Sequence, residues 1–281
     1  MFHVVSFLRT INSVLGKGAV NRAMSDALQQ SKGFARALLA YGTPVVSDRP
    51  VVIERGFGPF GTISFASRVR PEALQETSVR IINAEADCPD TYRALGYHQM
   101  MTPAHVAEWD LATHDRRGAM RPKWRNQLRK AESHGLRLRE LVWDGRPHWL
   151  LRQAAAMARK RRFRTLPTAL LACFAQTNKG DALIFEAYAK DHPIAAILSL
   201  RHGATATYQT GWTSTKGRAL HAHNQLLDHA ARRLAKLGHS TFDLGLVETD
   251  SAPTLTHFKC GTGAAIRRLG GTWIRLGRTQ R

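Results

Sequence analysis

Apolar residues recur at helical spacing from the start of the chain, where Phe7, Leu8, Ile11, Val14 and Leu15 share one face flanked by Arg9 and Lys17. No acidic residue precedes Asp26. The pattern predicts a basic amphipathic helix, of the kind that docks on its own domain, lies on a membrane surface or serves as a transit peptide. A second helix is expected from Ser31 to Tyr41, stopped by Gly42 and Pro44. Val51-Val52-Ile53 and Thr62-Ile63-Ser64-Phe65 then read as strands around Gly56-Phe57-Gly58-Pro59-Phe60-Gly61. That turn matches GxGxxG by letter, but a dinucleotide fingerprint needs a helix immediately after it. A β-branched strand follows instead, so the segment reads as a hairpin.

Residues 102–120 read as a seam. Beyond it, Trp124, Leu128 and Ala131 line one face of a helix from Pro122 to His134, closed by Gly135. Arg121, Arg125 and Arg129 recur every fourth residue and share a stripe on it. Another helix, Pro147 to Arg162, ends in the basic run Arg159-Lys160-Arg161-Arg162-Phe163-Arg164. The pattern then turns extended, with strands expected at 182–189, 194–200 and 205–211. A polar loop, 213–221, leads to a long helix, Ala222 to Leu237, capped by Gly238. A strand from Ser240 to Leu244, a short helix ending near Lys259 and a hairpin around Gly270-Gly271 complete the order β-β-β-loop-α-β-α-β.

Charge changes the picture more than composition does. Forty-one Lys and Arg stand against 21 Asp and Glu, a formal +20 in 281 residues. Such a field attracts polyanions (nucleic acid, anionic lipid, nucleotide-bearing substrates) without choosing among them. Three cysteines without CxxC spacing argue against a disulfide framework or a cysteine-rich zinc site. His221 and His223 have metal-pair spacing but no third candidate ligand nearby, so they read as surface residues and no metal is expected. No apolar stretch approaches the ~20 residues that span a bilayer, and the cytoplasm is the default location.

Several pieces in this order resemble one known group. Arg121-x-x-x-Arg125-x-x-x-Arg129-Lys130-Ala131-Glu132-x-x-Gly135, Gly217-Arg218 before the Asn224-containing helix, Phe242-Asp243-Leu244-Gly245, Phe258-Lys259-x-Gly261-x-Gly263-Ala264 and Gly270-Gly271-Thr272-Trp273 resemble the Fem-type and BioF2-like branch of the GNAT acyltransferases. The resemblance implies an α/β fold of two GNAT-like lobes, with mixed, mostly antiparallel sheets flanked by helices. The first lobe, 1–110, is abbreviated and carries the leading amphipathic helix; the second, 111–281, holds the transferase site. It also implies that strands 205–211 and 240–244 lie side by side and splay apart, with the 222–237 helix starting at the opening.

The implied activity is N-acyl transfer to a small-molecule or lipid-linked amine. Acyl-CoA is the co-substrate, with no tightly bound cofactor, or aminoacyl-tRNA is the donor, as in Fem-type enzymes. Lys216, Gly217, Arg218 and Asn224 would hold the donor's phosphates at a helix N-terminus, although Arg218-Ala219-Leu220-His221 departs from the full CoA motif. Arg121, Arg125 and Tyr208 would contact substrate. Lys259 stands where the Fem family places a functional lysine. Asp243, ending a buried strand, needs a partner; it orients or deprotonates the amine, or else caps the following loop. No tyrosine follows Tyr208, so His257 is the nearest substitute for the tyrosine that protonates the leaving group in many GNAT enzymes. The missing motif and the charge leave a rival reading open: a non-catalytic RNA-binding protein on a decayed GNAT fold.

Overall fold

The computed structural model describes residues 27–56, 58, 61–248 and 253–276. The amphipathic helix expected over residues 7–17 lies outside them. The described chain forms two sheets. The first holds β1 (Val45–Asp48), β2 (Val51–Gly56), β3 (Thr62–Val69), β4 (Ile81–Ala84), β5 (Tyr97–Met101) and, from the far end of the chain, β13 (Gly271–Arg275). Their order is β1-β2-β3-β4-β13-β5, antiparallel except for the β3/β4 pair. The second holds β6 (His105–Asp110), β7 (Arg137–Val142), β8 (Ala182–Ala189), β9 (His192–His202), β10 (Thr205–Thr213), β11 (Thr241–Val247) and β12 (Ala265–Arg268) in the order β12-β6-β11-β10-β9-β8-β7. Only β10 and β11 are parallel in it.

Helices pack on these sheets: α1 (Lys32–Ala40), α2 (Pro89–Ala94), α3 (Arg116–Ala119), α4 (Pro122–Ser133), α5 (Trp149–Arg161), α6 (Thr168–Thr177), α7 (Thr215–Ala219), α8 (Ala222–Lys236) and α9 (Pro253–Gly261). Their local causes are legible. Ser31 accepts a hydrogen bond from Phe34 N at 3.1 Å and starts α1. Pro122 opens α4, where its missing N–H costs nothing. The α8 stripe Ala222, Leu226, Leu227, Ala230, Ala231 and Leu234 is buried, as 3.6-residue periodicity requires.

The second sheet is covered on both faces, which is why β8 and β9 read as nearly unbroken apolar runs. Leu183, Phe185 and Ala187 join Trp109, Trp124, Leu128, Phe242 and the α8 stripe in one core. Ala182 and Ile184, on the opposite face, meet Phe34, Leu150, Leu171 and Phe174 from α1, α5 and α6. A third core, with Val52, Ile82, Tyr92, Tyr97 and Trp273, belongs to the first sheet.

Two expectations are corrected here. Strands 265–268 and 271–275 flank Gly270-Gly271 but form no hairpin: β12 pairs with β6 in one sheet and β13 with β4 and β5 in the other. Gly270 lets the chain cross, since a Cβ there would lie 2.1 Å from the Ala86 carbonyl oxygen. The polar loop 213–221 contains α7, because Ser214 caps it by accepting from Gly217 N at 2.9 Å. A division of the chain at residue 110 would leave β6 and β13 each in the other lobe's sheet. The hairpin around residues 56–61 is present, with Gly56 opposite Thr62.

Candidate functional site

β10 and β11 pair through Thr205–Thr241, Ala206–Phe242 and Thr207–Asp243, and no further. Beyond that point both strands lose register with their other neighbours, β10 with β9 between Tyr208 and Thr210, β11 with β6 between Asp243 and Leu246. Bulges bend a strand and increase its twist, so the two parallel strands part at their carboxyl ends. α7 and the first turn of α8 follow one lip of the opening; α9 follows the other.

Asp243 is 6% exposed at the point of parting. One carboxylate oxygen accepts from Gly245 N at 2.7 Å, and the other lies 3.6 Å from Arg68 Nη1. Burial pushes this carboxyl above its ordinary value, and Arg68 pulls it back. Lys259, on α9, is 7% exposed and donates to the Leu246 carbonyl at 2.6 Å. Burial lowers its ammonium to about 8, against the opposing pull of Asp243, Cys260 and Glu248. A buried carboxylate pushed up and a buried ammonium pushed down, the first acting on the second, form the kind of pair that enzymes use to manage protons.

Aromatic rings connect this pair to α8. Phe258, beside Lys259, packs on Trp124 at 5.9 Å and on His223 at 5.5 Å between centroids. His223 Nε2 is hydrogen-bonded to Tyr208 Oη at 3.1 Å. His223 Nδ1, Asn224 Nδ2 and Gln225 Oε1, on consecutive residues of the first turn of α8, are buried without a hydrogen-bond partner. Each such atom costs ~1–3 kcal/mol, and native proteins keep few of them.

The remaining expected site residues divide. Asn224 is 5% exposed at the opening. Gly217 is buried, and a Cβ on it would meet the Ile194 carbonyl oxygen at 2.4 Å and Thr213 Oγ1 at 2.5 Å, so only glycine seats α7 this close to β9 and β10. Lys216 and Arg218 are exposed on α7. Arg218 donates back to the Thr213 carbonyl at 3.1 Å and to Thr215 Oγ1 at 3.2 Å. Arg121 caps α4 beside the end of α9, its backbone N–H donating to the Gly261 carbonyl at 3.0 Å. Arg125 turns away, donating to the Arg117 and Gly118 carbonyls at 3.4 Å each. His257 is exposed on α9, whereas Lys259 is buried.

His223 corrects the surface reading of the His221/His223 pair, because its ring lies between Tyr208 and Phe258. Its place in the turn that precedes Asn224 was the available signal. Arg68 left none, since its site contact depends on packing between the two sheets. Among the described residues no group of His, Cys, Asp and Glu could hold a metal ion, and no helix is long and apolar enough to cross a membrane.

Comparison with known proteins places this fold. No curated protein matches the chain. Among solved structures, FemX is similar with a TM-score of 0.69 and 13% identity, covering 88% of this chain and 91% of its own. The C-terminal domain of a putative lysylphosphatidylglycerol synthetase from Agrobacterium fabrum gives 0.59 and 12%, covering 92% of each chain. L-PGS from Bacillus licheniformis gives 0.54 and 13%, covering 90% and 94%. A family model described as an acetyltransferase (GNAT) domain matches residues 118–259, the span from the end of α3 through Asp243 to Lys259, and the chain therefore belongs to the GNAT acetyltransferase family.

Proposed function

We propose that this GNAT acyltransferase moves an acyl group from acyl-CoA to an amine acceptor at the opening between β10 and β11. The observation that carries the reading is the buried Asp243–Lys259 pair where β10 and β11 part, with buried Asn224 in the first turn of α8 on the other lip. A donor laid across that turn would meet a helix N-terminus, which suits its pyrophosphate. The acceptor amine attacks the thioester carbonyl. As the C–N bond forms and the C–S bond breaks, Asp243 takes the amine's proton. Lys259 meets the negative charge on oxygen and sulfur and supplies the proton with which the thiol leaves.

Aminoacyl-tRNA is the second reading for the donor. The exposed run Arg159, Lys160, Arg161, Arg162 and Arg164, together with exposed Arg121, Lys123, Arg129 and Lys130 on and beside α4, exceeds what one CoA requires. The name of the Agrobacterium neighbour, a lysylphosphatidylglycerol synthetase, favours a lipid-linked acceptor within either reading. Titration of nuclease-treated protein with acetyl-CoA and with charged tRNA at two salt concentrations tests both. Saturable acetyl-CoA binding, weakened in Lys216→Ala/Arg218→Ala, supports the first reading. Tight, salt-sensitive tRNA binding without CoA binding supports the second. Equal binding of charged and uncharged tRNA, with no transfer to any amine, would point to an RNA-binding protein on a decayed fold.

A further inference from the structure

Six charged side chains gather where the first sheet meets the base of the splay. Arg68 on β3 and Glu85 just after β4 come from the first sheet. Glu108 on β6, Asp243 on β11, Arg267 on β12 and Lys259 on α9 come from the second sheet and its covering helix. Arg68 grips Glu85 twice, Nη2 to Oε1 at 3.0 Å and Nε to Oε2. Arg267 Nη2 reaches Glu85 at 2.5 Å and Glu108 at 2.7 Å. The one guanidinium nitrogen of Arg68 left over, Nη1, faces Asp243 at 3.6 Å.

The backbone that carries this contact is strained. Arg68 has φ +58°, in the left-handed region that disfavours a residue with a Cβ, and it sits where β3 and β4 lose register between Ser67 and Val69. Strain of this kind persists where the surroundings over-determine it and clusters at functional sites. Stability alone is a poor reason for such a cluster, because apolar residues commonly replace buried ion pairs without harm.

We propose that Arg68, contributed by the first lobe, is a positioning residue of the transfer site: it holds the Asp243 carboxylate on the first lobe's side and so leaves the Lys259 ammonium free to meet developing negative charge. The inference rests on the reading of Asp243 and Lys259 as the reaction centre. Asp243 divides its oxygens between Gly245 N and Arg68, and Lys259 donates to the Leu246 carbonyl instead. If Arg68 released it, the carboxylate would be free to turn to Lys259, on which it already acts, and the ammonium would become part of a closed ion pair. The lobe outside the matched span 118–259 thus supplies a working part of the site.

Among the described residues, the groups that bear on Lys259 are Asp243, Cys260 and Glu248, and those that bear on Asp243 are Arg68, Glu108 and Glu85. Arg68 therefore acts on Lys259 through Asp243, and this dependence can be measured without any donor. Competitive labelling of the intact protein with acetic anhydride across pH, read at Lys259 by mass spectrometry, gives the lysine's titration midpoint, expected at about 8 in the parent. In Arg68→Gln the midpoint should rise by about one pH unit, a tenfold change in proton affinity, and in Arg68→Lys it should return toward the parent value. Glu85→Gln, which frees Arg68 to lean on Asp243, should move it down, a direction that local unfolding cannot mimic. In an Asp243→Asn background, Arg68→Gln should leave it unmoved. A folded Arg68→Gln protein with the parent midpoint, a Glu85→Gln midpoint that stays or rises, or a shift that survives in Asp243→Asn, would overturn the assignment. A protein that titrates as expected but turns over no acetyl-CoA leaves the positioning role standing and removes the donor reading alone.

Discussion

Tyr208 and His223 meet at the lip of the splay, Oη to Nε2 at 3.1 Å, and tie β10 to the first turn of α8. Gly211 makes room for them: a Cβ there would lie 2.2 Å from Tyr208 Oη and 2.8 Å from His223 Cε1. Gly211→Ala should therefore part the pair and cost ~1–3 kcal/mol by overpacking. Tyr208→Phe, which keeps the ring and removes only the hydroxyl, should cost less. Urea midpoints of the two variants check the order, and a Tyr208→Phe protein less stable than Gly211→Ala would contradict it.

The same pair gives a pH signature. Burial lowers the His223 imidazole to about 4, and it also lowers His105, His148, His221, His229 and His239. Between that value and the ordinary ~6.5 the unfolded chain binds more protons than the folded one, so stability is full above the unfolded value and falls with pH through this window. His223→Gln should flatten the acid side of a stability-versus-pH curve between pH ~6.5 and ~4, while the other histidines keep part of the slope. A curve unchanged by the substitution would mean that His223 is not buried as a neutral base.

What sequence could and could not foresee follows from the range of the forces involved. Ser31, Pro122 and the Trp124, Leu128 and Ala131 face each act within one helix, so helix starts and that buried face were legible from spacing alone. Asp243 and Lys259 stood out because the residues around them resemble a known pattern, and both are buried at the splay. Arg68 and the crossing of β13 into the first sheet depend on pairing across long sequence separations, and Gly270-Gly271 looks the same at a hairpin as at a crossover. The capping by Ser214 that turns part of 213–221 into α7 is local, and the run Ser214-Thr215-Lys216 contains that signal. A polar loop hid it, because the segment has no apolar period.

Lys259→Ala should lower turnover ~100-fold or more, the usual effect of losing one stabiliser of transition-state charge. Its effect on stability should be modest, since removing a buried ammonium offsets part of what its packing contributed. The ammonium titrates at about 8, so turnover in the parent should fall as pH rises through that value, and the basic limb should disappear from whatever activity the variant retains. A pH–rate profile with the same basic limb in both proteins would assign it to another group.

Gly217→Ala tests the proposed donor loop without touching a charge. Its Cβ would press on the Ile194 carbonyl and on Thr213 Oγ1 at 2.4 and 2.5 Å, so α7 must move off β9 and β10. Acetyl-CoA affinity should fall further than in Lys216→Ala, whose side chain is exposed. Calorimetric titration of both variants ranks them; a stronger effect in Lys216→Ala would put the lysine's charge, and not the seating of the loop, in command.

The last prediction concerns the basic end of α5. Arg159, Lys160, Arg161, Arg162 and Arg164 are all exposed, and Phe163 between them is 47% exposed. Arg162 closes α5 at φ +55°, which turns the chain into the loop before α6 and keeps the cations together at one end of the helix. Substituting Arg159, Arg161 and Arg164 by Glu should leave acetyl-CoA affinity unchanged, because the CoA site proposed at α8 includes none of them. For tRNA the expectation differs: every phosphate that an arginine no longer neutralises should flatten the plot of log affinity against log salt by about 0.7–0.9. The three substitutions together should then reduce the slope by about 2–3. Filter binding at several salt concentrations reads this directly. An unaltered tRNA slope would show that this run touches no nucleic acid, while weakened acetyl-CoA binding would mean that the donor extends well beyond the α8 turn.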